Sequence, residues 1–140
     1  MISIKYTQLW VHDQDAALDF YTNKLGFAVR MDVTLPEMGG FRWLTVGPAH
    51  QPEISVVLMP VPGEPLMDDA TRAKVEDLMS KGFAGTLFLT TEDLDAEYAA
   101  LTERGVEFVE KPTDEPWGRD SSFRDPSGNH IRLTTPRELA

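Results

Sequence analysis

The chain contains no cysteine, which removes disulfide frameworks and thiolate metal sites from consideration. It has no run of about 20 apolar residues, the length a membrane-spanning helix needs. Its first ten residues, MISIKYTQLW, lack the long apolar core and small-residue cleavage site of a secretory leader, so the expected location is the cytoplasm. Positive charge is scarce: 13 lysines and arginines stand against 23 acids, a net charge of −10. Nucleic acid is thereby a poor partner, because its binding rests on neutralising phosphates, and an anionic membrane surface is repelled. An anionic ligand would need a positive group set locally within a pocket. What is present is ordinary: 41% hydrophobic and 26% charged residues fit a globular protein, and 140 residues suffice for one compact domain with a real core.

Residues 2–11 alternate and are rich in β-formers, which predicts a strand. In DQDAALDFYTNKLG, Asp13 caps a helix carrying Ala17, Phe20, Tyr21 and Leu25 near helical spacing, and Gly26 ends it. Strands follow at FAVRMDV, FRWLTVG and EISVVLMP, separated by the turns PEMGG and PAHQP. After the Pro/Gly linker VPGEPLM, DDATRAKVEDLMSKG predicts a helix capped by Asp68 or Asp69, with Val75, Leu78 and Met79 on one face. Then come a strand GTLFLTT, a helix EDLDAEYAALTERG and strands VEFVEKP, RDSSFRD and NHIRLTT, with TDEPWG and PSG as connections.

Both halves therefore read β-α-β-β-β. The letters agree: VHDQDAALDFYTNKLGFAV is similar to TEDLDAEYAALTERGVEFV, with Asp13 and Asp93 in register and Gly26 meeting Gly105 after a one-residue gap. Agreement of element order, caps and glycines together indicates an internal duplication. Module one covers about 2–60, a linker and helix about 61–83, and module two about 84–136, expected to form one domain.

Paired β-α-β-β-β units, LDFYTNKLGF early and DPSGNHIRL late resemble the vicinal oxygen chelate superfamily, which includes glyoxalase I, extradiol dioxygenases, fosfomycin-resistance enzymes and bleomycin-binding proteins. The resemblance covers nearly the whole chain. It implies an α+β fold in which two tandem βαβββ modules curl mixed sheets into a cup, and it implies a homodimer. Pro126 and Gly128 suit the turn in DPSGN, but such motifs build the fold and do not identify the chemistry.

In metal-dependent members, a ligand lies in the first and last strand of each module. By spacing, those positions here are Tyr6, Val57, Thr86 and Arg132. None is a carboxylate or imidazole, and a guanidinium has five donors and no acceptor. Gln8 and His130, two residues away, make a poor set alone. The expectation is no metal and no other cofactor.

If Tyr6 faces the cup, alternation brings Gln8 and Trp10 with it, and by the same rule Val57 with Met59, Thr86 with Phe88, and His130 with Arg132. Trp43 and Trp117 are candidates for the rim, and EPWGR for a mouth or lid. Such a lining suits a small organic ligand. Arg132 either forks onto a carboxylate, phosphate or planar carbonyl or pairs internally with an acid or backbone carbonyls. His130 is either a polar rim residue or an acid–base group, and Tyr6 a hydrogen-bond donor or an acid. The primary expectation is a metal-free protein binding an aromatic or anionic molecule. The alternatives are a metal-dependent glyoxalase- or dioxygenase-type enzyme, or a metal-free isomerase or lyase using Tyr6, His130 and Arg132.

Overall fold

The computed structural model describes residues 1–138. The chain falls into two compact units, one spanning Met1–Lys74 and the other beginning at Val75. The first contains strand β1 (Tyr6–Val11), helix α1 (Gln14–Asp19), β2 (Ala28–Leu35), β3 (Phe41–Gly47) and β4 (Ser55–Pro60). Helix α2 (Asp69–Ser80) carries the chain onward into the second unit, which contains β5 (Thr86–Thr90), helix α3 (Leu94–Glu103), β6 (Phe108–Glu115), β7 (Gly118–Arg124) and β8 (His130–Pro136).

Each unit has one four-stranded mixed sheet. The orders are β1-β4-β3-β2 and β5-β8-β7-β6, with the first pair parallel and the others antiparallel in each. This is the expected α+β class with the βαβββ order twice.

The duplication extends to the caps and the ion pairs. Asp13 Oδ1 accepts from the amides of Asp15 and Ala16 at the start of α1, and Asp93 Oδ1 accepts from the Ala96 amide at the start of α3. Arg42 on β3 binds Asp15 in α1 at 2.7 Å and Asp32 on β2 at 2.8 Å. Arg119 on β7 binds Asp95 in α3 and Asp114 on β6, both at 3.1 Å. In each unit one arginine on the third strand therefore ties the first turn of the helix to the second strand. The acids also suit the positive end of the helix dipole.

The central strands β3, β4 and β7 are buried on both faces over part of their length. In the first unit Leu9, Val11, Leu44, Val46, Val56 and Leu58 are buried together with Ala17, Phe20 and Tyr21. In the second, Leu94, Leu101, Phe123, Ile131 and Leu133 are the buried counterparts, and the rings of Tyr98, Phe108 and Phe123 meet in sequence at 4.7 and 5.1 Å between centroids.

Three expectations are corrected. The first strand begins at Tyr6, not Ile2; residues 1–5 are outside it and exposed. The first helix is α-helical only to Asp19 and continues as a π-helical turn, Phe20–Lys24, which buries both Phe20 and Tyr21. TDEPWG is not an open loop: β6 runs to Glu115, which pairs with Gly118, so Pro116 and Trp117 form the tip of a tight hairpin. That leaves no length for a lid. Of the two candidate caps for α2, Asp68 is the one that bonds, its Oδ1 accepting from the Thr71 amide at 2.7 Å.

The DPSGN turn is built as its letters suggest. Asp125 Oδ1 accepts from the Ser127 and Asn129 amides, each at 2.9 Å, and its Oδ2 accepts from Asn129 Nδ2 at 2.9 Å. Gly128 has φ of +90°, and a Cβ there would lie 2.1 Å from the Met79 carbonyl oxygen. The glycine thus lets the β7–β8 turn seat against the end of α2.

Candidate functional site

In each sheet the strand register sets the candidate residues on one face. In the first unit the register pairs Tyr6 with Ser55, Gln8 with Val57 and Trp10 with Met59. Thr45 stands beside Val57, and Met31, Val33 and Leu35 stand beside Thr45, Trp43 and Phe41. This face is mainly aromatic and apolar, with Gln8, Thr45 and Ser55 as polar members, and none of these residues is charged. The rings of Tyr6 and Trp43 meet edge-to-face, 5.4 Å between centroids. Tyr6 and Gln8 are exposed, Trp10, Trp43 and Met59 half-buried, and Val57 buried.

The corresponding face of the second unit is polar. Thr86 pairs with His130, Phe88 with Arg132 and Thr90 with Thr134; Arg132 also pairs with Ser122 and Thr134 with Asp120. At its centre is an ion pair. Arg132 Nε donates to Asp120 Oδ2 at 3.0 Å, and Nη2 donates to the same oxygen. Trp117 Nε1 donates to Oδ2 at 3.2 Å, and Thr134 Oγ1 donates to Oδ1 at 2.6 Å. Asp120 is 3% exposed. Burial alone pushes its carboxyl up, but the donors from Arg132, Thr134 and Trp117 and the guanidinium charge outweigh this and hold it below the usual carboxylate range. The same pairing raises Arg132.

Arg132 Nη1 donates to Glu110 Oε1 at 3.3 Å, and Ser122 Oγ donates to that oxygen at 3.0 Å. Nη1 also lies 3.3 Å from His130 Nε2. Arg132 thus pairs internally with Asp120 and Glu110.

The structure therefore gathers Thr86, Phe88, Trp117, His130 and Arg132 on the second unit, and Tyr6, Gln8, Trp10, Trp43, Val57 and Met59 on the first. Asp120, Glu110 and Ser122 were not singled out from the sequence. Alternation in RDSSFR places Asp120 and Ser122 on one face, and an acid inside an otherwise buried strand calls for a cation; that was the available signal. Glu110 offered none, because it lies beside an irregularity in the β6–β7 register.

Of the four positions that the resemblance assigns to metal ligands, two cannot ligate. Val57 has no ligating atom, Arg132 offers only N–H groups, and Asp120 already accepts four hydrogen bonds. Among the described residues no three His, Asp or Glu side chains converge on one point, and no helix is long and apolar enough to cross a membrane.

Residues 3–133 match the model of the Glyoxalase/Bleomycin resistance protein/Dioxygenase superfamily. YurT of Bacillus subtilis (strain 168) is 37% identical over 133 residues, covering 94% of this chain and 98% of that protein. The crystal structure of UcmS2 superposes with a TM-score of 0.86 at 43% identity, covering 96% of this chain and 98% of that one. TnmS3, an antibiotic binding protein from Streptomyces sp. CB03234, superposes with a TM-score of 0.75 at 34% identity, covering 98% of both chains.

Proposed function

The chain belongs to the Glyoxalase/Bleomycin resistance protein/Dioxygenase superfamily, and from that membership we propose that it binds a small organic molecule without transforming it. The observation that carries this reading is the Asp120–Arg132 centre: a buried hydrogen-bonding group on the sheet face that carries Thr86, Phe88 and His130, flanked by the exposed rings of Phe88 and Trp117. Pockets for organic ligands combine apolar and aromatic surface with a few fixed polar groups. The aromatic face of the first unit offers a second surface of that kind. The similarity to an antibiotic binding protein, TnmS3, at 34% identity over 98% of the chain supports the same reading.

Binding without turnover is favoured because Asp120, Arg132 and His130 are engaged with one another. Acid–base catalysis needs a side chain free to take or give a proton at the substrate, whereas Asp120 and Arg132 are tied together and His130 Nε2 faces the guanidinium. The reading uses no metal and no other cofactor. It extends to a homodimer in the cytoplasm; β1 and β5 each end their sheet, and such edges invite pairing with another chain.

Titration of tryptophan fluorescence against a panel of aromatic compounds tests the proposal, since Trp10, Trp43 and Trp117 all lie on the two faces. A saturable change that survives dialysis against a chelator is the expected result. Absence of any saturable response, or recovery of binding only on adding a divalent metal, would overturn it.

A further inference from the structure

The charges on the face of the second unit that carries Asp120 and Arg132 narrow the ligand class, an inference that rests on the binding reading above. Asp120 and Glu110 contribute two negative charges and Arg132 one positive, so the centre is net anionic. Arg132 is also largely spent: Nε and Nη2 donate to Asp120, and Nη1 faces Glu110 and His130. A ligand carboxylate or phosphate would bring a third anion to one cation already shared by two.

Glu110 is placed differently. Its Oε1 accepts from Ser122 and Arg132, which fixes the carboxylate, while the side chain remains 57% exposed. The register sets Phe88, Arg132, Ser122 and Glu110 in one transverse row across β5, β8, β7 and β6. Strands lie about 4.8 Å apart, so the backbone row spans roughly 14 Å from Phe88, 77% exposed, to Glu110, whose carboxylate reaches back to Arg132. An aromatic body can lie over Phe88 and the guanidinium plane while a basic nitrogen reaches Glu110.

We propose that this face takes an extended aromatic molecule bearing a basic amine, with Glu110 as its counter-charge and Phe88 as its stacking surface, and that it excludes anions. Three matched probes test this by calorimetry on the full chain: acridine as the uncharged body, 9-(aminomethyl)acridine as the cation and acridine-9-carboxylate as the anion. The aminomethyl compound should bind at least about tenfold more tightly than the carboxylate, a difference of roughly 1.4 kcal/mol. Glu110→Gln should erase the preference of the aminomethyl compound over acridine, with the fold confirmed by circular dichroism, and Phe88→Ala should weaken both. Binding of acridine with no preference for the amine, or a preference that survives Glu110→Gln, overturns the charge assignment and leaves the binding reading standing. Binding of none of the three overturns both.

Discussion

Asp120 is an acid almost wholly removed from water, and its carboxyl is nevertheless held below the usual range. Burial works against the charge, and donors from Arg132, Thr134 and Trp117 win. A group whose pKa is lower folded than unfolded stabilises the fold fully above its unfolded value, about 3.9 for aspartate, and that contribution disappears as pH falls through the folded value. The urea midpoint should therefore drop on acidification below about pH 4, and Asp120→Asn should reduce the drop. At neutral pH the same substitution strands Arg132 with Glu110 as its one remaining carboxylate. Breaking a buried pair costs about 3–5 kcal/mol; because Arg132 is 24% exposed, a loss of roughly 2 kcal/mol is the better expectation. If the urea midpoint of Asp120→Asn at neutral pH equals that of the parent, the ion pair does not stabilise the fold.

At the scale of elements, the β7–β8 turn and the end of α2 depend on one missing carbon. Gly128→Ala should place Cβ 2.1 Å from a backbone oxygen at a positive φ, where neither partner can yield cheaply, and a loss of about 3 kcal/mol or more is expected. Gly26 is the control: it also has positive φ, but nothing lies within 4 Å of a Cβ there, so Gly26→Ala should cost about 1 kcal/mol from the backbone alone. Equal denaturant midpoints for the two variants would refute this account of the turn. Elements were legible in the sequence where the determinant is local. Asp13 and Asp93 cap helices through amides two or three residues away, and DPSGN closes on its own Asp125. The alternation of Tyr6, Gln8 and Trp10, and of His130 and Arg132, sufficed to place each set on one face. What stayed hidden was set by partners distant in sequence. The Asp120–Arg132 pair crosses a hairpin. Glu110 reaches Arg132 past an irregular register. The π turn at Phe20–Lys24 differs from an α turn in its hydrogen bonds, not in its residue types.

Across the whole molecule, the net charge of −10 acts in the same direction as Glu110. Charge summed over a protein steers ions of opposite sign toward it and slows the approach of like ions, an effect that salt screens. The screening length falls from about 30 Å at 0.01 M salt to about 8 Å at 0.15 M. The association rate of a cationic aromatic probe, followed by stopped-flow tryptophan fluorescence, should therefore fall about threefold or more over that range. The rate for an uncharged aromatic of the same shape should stay constant. Glu110→Gln changes the total charge by one unit in ten, so it should leave the salt dependence of association nearly intact and act chiefly on dissociation. A rate for the cation that ignores salt would mean that the acidic surface does not steer the ligand, leaving discrimination to the local row from Phe88 to Glu110. Loss of salt dependence in Glu110→Gln alone would mean instead that the carboxylate at the site, not the distributed charge, captures the ligand on encounter.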